Sequence, residues 1–258
     1  MLAGAWCHAC GQSAEEFHRS FLRLAAEAFG GLIDIDNRVW RTVPKLLLQP
    51  GRLTRQYLDG HRAAQAPPFR MFLIGIVLIF LVASVPGGGT ATIKIEPLTG
   101  FGVPAASVSN VAESEAAKWL QAHVAAISQH QQAFQETLIT WAQRLAVLTL
   151  PISALLLSLT FFWRRDILIF DHLIFSMHSL TFLGFLVSAV MLLARLTDWA
   201  WLLLLAAPAH LFVHLRGAYG IGVFSALARM VVLLVGSLMG FYVLLVGLII
   251  IGLYEIGA

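Results

Sequence analysis

Charge is the scarcest feature of this chain. Only 12% of its 258 residues are charged, 59% are hydrophobic, and the mean hydropathy is +0.80. Soluble domains carry about a quarter charged residues, so the composition excludes an ordinary soluble domain and points to a membrane protein. Acids are rarest of all. Between residues 137 and 254 only Asp166, Asp171 and Asp198 occur, all near expected surfaces. There are no paired membrane carboxylates, no nucleophile elbow and no phosphate-binding loop. The net charge of +3 is small, and the basic residues gather before Arg70. That distribution speaks for topology and membrane-surface attraction, not nucleic-acid binding. The first strong apolar run starts near residue 71, too late for a cleaved leader.

Cysteine is nearly absent. Cys7 and Cys10 are the whole supply, and both precede the basic stretch that is expected to face the cytoplasm. A reducing compartment argues against a permanent disulfide. Cys-x-x-Cys followed by Gly11 is half of a zinc ribbon, because a tight turn aims two thiolates at one ion. Zinc wants four ligands, so His8, His18, His61 or a second subunit would have to complete the shell. Gly11 after Cys10 rules out the covalent haem motif. A redox dithiol lacks the surrounding βαβ pattern. A pair without present function is the remaining reading.

What is present is organised around Pro50 to Arg70 and the apolar run behind it. Arg41, Arg52, Arg55, Arg62 and Arg70 crowd the water side, and Met71 to Val85 carries no charge. Lys and Arg favour the cytoplasmic side of membrane spans, so this junction sets the orientation of every later span. The expected architecture is all-α and polytopic, with about five spans near residues 71–86, 145–163, 170–193, 200–215 and 230–254. Arg164-Arg165 and Arg216 mark inner ends, while Arg195 on the outer side fits least well. Gly236, Gly240 and Gly247 are expected to allow close helix packing.

Residues 1–70 read as a cytoplasmic N-terminal region. Phe17, Phe21, Leu24 and Ala28 share one helical face, and a second helical piece is expected over Leu32 to Val43, with Pro44 and Pro50 as punctuation. The expectation is a pair of amphipathic helices lying in the headgroup zone. Residues 87–144 form the outer loop. Asn110 and Glu113 mark a helix start there. Leu120, Val124, Ile127, Gln131, Phe134, Leu138, Trp141 and Leu145 then keep an alternating spacing of four and three. This seam over 110–145 either lies on the outer leaflet or its own spans, or makes a helix–helix contact within one chain or between two.

Cys7-His8-Ala9-Cys10-Gly11-Gln12, Pro50-Gly51, Gly60-His61-Arg62 and Pro67-Pro68-Phe69-Arg70 resemble the signature of an uncharacterised family of bacterial inner-membrane proteins. Asp171 to His178 is similar to that family's His-x-x-Phe-Ser-x-His run. The resemblance implies several membrane spans and an inner-membrane location. It implies no activity.

Four histidines fall inside expected spans: His172, His178, His210 and His214. Ionisable groups within a membrane are functional candidates because burying them costs energy. His210 and His214 share a face, being four apart, whereas six residues leave His172 and His178 some 120° apart, too far to chelate together. Measured from the inner arginines, His172 and His210 lie at similar depth and are expected to face each other. These rings read as interhelical polar glue satisfied by Ser176, Ser179 or a carbonyl, as cofactor ligands for a metal or haem, or as part of a proton or solute path.

The function expected from these residues is a non-enzymatic membrane accessory or scaffold protein, binding a partner through the Cys7 to Arg70 segment. The rivals are a haem- or metal-dependent membrane oxidoreductase using the four histidines, and a small-solute or proton-coupled transporter.

Overall fold

A computed structural model describes residues 37–85, 131–164 and 167–257. Cys7 and Cys10, the amphipathic run from Phe17 to Ala28, most of the outer connector and the first part of the 110–145 seam lie outside the described residues. Every regular element among the described residues is helical. In chain order these are α1 (Asn37–Leu48), α2 (Pro50–Leu58), α3 (Pro68–Ser84), α4 (Gln131–Ala146), α5 (Thr149–Thr160), α6 (Ile169–Leu193), a 3₁₀ segment (Asp198–Leu205), α7 (Ala206–Tyr219) and α8 (Val223–Gly257).

Among the described residues three stretches are long and apolar enough to cross a membrane: Ile169–Leu193, Asp198–Tyr219 and Val223–Gly252. The number is four if Ala133–Ala146 and Thr149–Thr160 count as one span. Five were expected. The shortfall has two local causes. α3 has only 17 residues, the lower limit for a crossing helix. The expected second span is interrupted at Val147 and Leu148, where the chain turns between α4 and α5. The fifth expected span starts earlier than its apolar run suggests. α8 begins at Val223, and the loop before it shrinks to Gly220, Ile221 and Gly222. Gly220 ends α7 at φ 63°, a left-handed cap that glycine adopts without strain.

The chain divides into two compact units, Met1–Gly89 with Thr149–Leu238, and Thr90–Leu148 with Met239–Ala258. In the second unit the described part of the seam, from Phe134 to Trp141, lies against the end of α8. A side chain at Gly252 would meet Phe134 and Leu138, and Trp141 Nε1 donates to Glu255 at 2.9 Å.

The first unit is built on two glycine crossings. Gly75 of α3 meets Gly184 of α6, where a Cβ added to Gly184 would lie 3.0–3.1 Å from the opposite backbone. Gly51 of α2 meets Gly217 of α7 closer still, with an added Cβ only 2.5 Å from the Gly217 Cα. Of the glycines expected to allow close packing, Gly236 lies tight against Leu156 of α5, where an added Cβ would stand 3.1 Å from Cδ2, and Gly247 has nothing within 4 Å among the described residues.

The helix pair α1–α2 is packed against the bundle on one face. α2 buries Pro50, Gly51, Leu53, Thr54 and Tyr57, a 3–4 spacing. α1 buries Val39, Thr42 and Leu46 and runs through Pro44 instead of stopping before it. Thr42 Oγ1 donates to the Arg38 carbonyl at 2.7 Å and accepts from the Ala66 N–H at 3.0 Å, tying the loop after α2 back to α1. Leu46, Leu53, Met71 and Phe182 then form one core cluster across α1, α2, α3 and α6.

Helix ends gather at two levels. Phe161 after α5 packs at a tilt on Tyr219 at the end of α7 and lies near His172 at the start of α6. Arg229 of α8 lies over the Phe161 ring and donates to the Thr160 carbonyl. It also donates to Ser225 Oγ, one turn back on α8. At the other level Arg195, the residue that fitted least, donates to the Val82 carbonyl at the end of α3. A cation on a carbonyl at a helix C-terminus also meets the negative end of the helix dipole.

Candidate functional site

The four histidines are all buried and each is held, although in other pairings than depth along the sequence implied. Thr54 is the centre. Its Oγ1 lies 2.8 Å from His178 Nδ1 and 2.7 Å from His214 Nε2, so one hydroxyl on α2 bridges α6 and α7. The other ring nitrogen of His214, Nδ1, is 2.9 Å from Ser179 Oγ. His210 Nε2 donates to the Leu46 carbonyl of α1 at 2.9 Å. His172 Nδ1 is 2.9 Å from the Tyr219 hydroxyl. His172 and His210, the pair expected to face each other, are therefore engaged with different partners.

These bonds constrain the protons. A carbonyl only accepts, so His210 carries its proton on Nε2 and keeps a lone pair on Nδ1 when neutral. Thr54 has one hydroxyl proton for two rings. If it donates to His178, His214 Nε2–H donates to Thr54, and Ser179 donates to His214 Nδ1. If it donates to His214, every bond in the row reverses. Ser179, His214, Thr54 and His178 thus form one chain with two arrangements. It ends at His178 Nε2, which is fully buried and has no hydrogen-bond partner among the described residues.

Aromatic rings fix the imidazoles in place. His210 lies flat on Phe182, with ring centres 3.5 Å apart and 1° between planes. His214 stacks on Phe175 at 3.8 Å and 18°. Tyr57 meets His178 edge-on at 6.3 Å. Asp171 accepts from the Leu168 N–H at 3.1 Å and caps the start of α6, where a negative charge is favourable.

A pocket adjoins this chain. It measures about 150 Å³ and lies between α5, α6, α7 and α8. Ser153, Ser176, Ser179, Ser237 and His210 supply its polar lining, and Phe175, Phe182 and several leucines the rest. Ser153 donates to Ser176 Oγ at 3.1 Å.

The zinc expectation at Cys7 and Cys10 is corrected. Two thiolates need two further ligands, and among the described residues no three His, Cys, Asp or Glu side chains converge to hold a metal. His61 is exposed in the loop after α2. The buried rings face hydroxyls and a carbonyl: Ser179 pairs with His214, and the Leu46 carbonyl with His210.

Sequence reasoning missed Thr54, Tyr219 and the Leu46 carbonyl. Thr54 had a signal. It sits on the face of α2 shared by Pro50, Leu53 and Tyr57, a lone aliphatic hydroxyl in an otherwise apolar stripe. The Leu46 carbonyl had none, because a backbone acceptor carries no residue code.

The fold and site define a multi-helix chain of membrane type, with a short helix pair pinned to buried histidines. Residues 36–80 match the model of a family described as "Protein of unknown function (DUF3667)". That stretch contains α1, α2 and most of α3, hence Leu46 and Thr54, the groups that hold three of the four histidines. The motifs around Cys7 and His172 fall outside it. No curated protein and no solved structure matches the chain.

Proposed function

We propose that this protein is a non-enzymatic accessory protein of the bacterial inner membrane, and that α1 is its partner-facing element. The observation that carries this reading is the second face of α1. One face is buried against the bundle, yet Trp40, Leu47 and Leu48 on the other are 70%, 44% and 78% exposed. Arg41 and Lys45 are exposed beside them. The helix is tied from below by the Leu46–His210 bond, beside an α2 that Thr54 ties to His178 and His214, so its outer face is pre-organised, which lowers the ordering cost of binding. Orientation follows the basic residues. Arg55, Arg164 and Tyr219 line one pocket at the level where α6 begins and α7 ends. The preference of Arg for the cytoplasmic side supports assigning that level to the cytoplasm, with the N-terminus inside. Five crossings follow if α3 and α5 both traverse.

The test uses photo-crosslinking groups placed at Trp40 and Leu48 in cells. One discrete protein adduct from both positions, absent from Phe224, is expected. Adducts to lipid alone would overturn the reading. Reporter fusions after Ala66, Arg165 and Gly217 should report the cytoplasm, and fusions after Gly100 and Asp198 the outside; a cytoplasmic signal at Gly100 would reverse the orientation.

A second reading is favoured by one observation. The Ser179–His214–Thr54–His178 chain can pass between two proton arrangements, and Ser179 lines the pocket. A proton-coupled transporter needs such a row. Acidification of vesicles holding the purified protein, abolished by Thr54→Val, would favour it over the accessory role.

A further inference from the structure

The pocket between α5, α6, α7 and α8 carries an inference that does not rest on the partner-docking reading. We infer that it is a binding site for a single hydroxylated aromatic ring, of the phenol class. Size sets the first limit. Its volume is about 150 Å³, and an apolar cavity of about 150 Å³ takes up one benzene ring. The route of entry sets the second. Leu183 and Ser237 at its edge are exposed, while Leu157, Phe175 and Ser176 at its base are buried. Leu183 and Ser237 belong to helices whose exposed faces are otherwise apolar, so the mouth opens toward lipid and the ligand arrives through the bilayer. An ionic ligand is thereby excluded.

The lining sets the third limit. Phe175, Phe182 and the leucines suit a ring face, and the polar groups are hydroxyls and one imidazole, with no charge among them. His210 is held as the Nε2–H tautomer by the Leu46 carbonyl, so it offers only an acceptor at Nδ1. The serine hydroxyls both donate and accept. A ligand hydroxyl can therefore donate to nitrogen and accept from serine, which benzene cannot do. The same chemistry has two sources: a free phenol dissolved in the membrane, or the ring head of an isoprenoid lipid whose tail leaves through the mouth.

The test takes the full chain in phosphatidylethanolamine/phosphatidylglycerol nanodiscs and follows 4-fluorophenol and fluorobenzene by fluorine NMR. Saturable binding of 4-fluorophenol is expected, with fluorobenzene about tenfold weaker for want of the hydrogen bond. Ala207→Leu fills the pocket from within, and Leu183→Trp covers the mouth from an exposed position. Both should abolish the saturable signal. Equal binding of the two probes would overturn the hydroxyl recognition. Signals unchanged in both variants, or equal to those of empty nanodiscs, would overturn the site. Mass spectrometry of lipid extracted from protein purified in mild detergent separates the sources. A ring-headed isoprenoid near one per chain, absent from Leu183→Trp, supports the lipid head. Its absence alongside saturable phenol binding supports the free phenol.

Discussion

α6 and α8 are both long apolar helices, yet they are used in opposite ways. Half of the most apolar stretch of α6 is buried, and none of that of α8 is. α6 buries His172, Ser176, His178, Thr181 and Ser188 among its neighbours. α8 turns Val231, Val235, Leu238 and Phe241 outward. In water the α8 surface would be a liability; against lipid tails it is the natural exterior, and the groups that need a partner are kept inside. The difference teaches that apolar composition locates the membrane, while polar side chains locate the interior of the bundle.

The largest effect expected from this contrast comes from truncating one large aliphatic residue on each helix. Ile174→Ala on α6 removes a fully buried side chain and should cost about 2–5 kcal/mol. Leu238→Ala on α8, 69% exposed, should stay within about 0.5 kcal/mol. Unfolding in mixed micelles measures both; equal losses would mean that α8 is packed rather than lipid-facing. A smaller effect is expected where backbones touch. Gly51→Ala drives a methyl into the Gly217 backbone and should cost about 1–3 kcal/mol. Gly247→Ala meets nothing within 4 Å among the described residues and should be neutral or slightly favourable, since alanine is the better helix former. A neutral Gly51→Ala would show that α2 does not sit on α7.

Much of this was legible in the sequence, for identifiable reasons. The helix over 170–193 was found within a residue, because an uncharged run between Asp171 and Arg195 leaves little choice. The histidines as interior groups were legible from the cost of burying them. Of their partners Ser179 was named, but Thr54 and Tyr219 were not, because depth counted along single helices ignores a third element. α2 carries five polar or charged residues in nine and reads as a surface helix, yet it supplies the hydroxyl that joins two spans. The glycine crossings escaped for a related reason. Glycine spacing within α8 was the visible pattern, whereas the close contacts use single glycines on separate helices, which no one-dimensional spacing displays.

The central claim is that Thr54 clamps the helix pair to the buried histidines. A double-mutant cycle of Thr54→Val and His214→Leu, read by reversible unfolding in micelles, tests it most directly. Thr54→Val alone leaves His178 Nδ1 and His214 Nε2 without their partner and should cost about 1–3 kcal/mol. With His214 also removed, part of that penalty disappears, so the two changes should couple by about 1 kcal/mol. Additivity within about 0.5 kcal/mol would contradict the clamp.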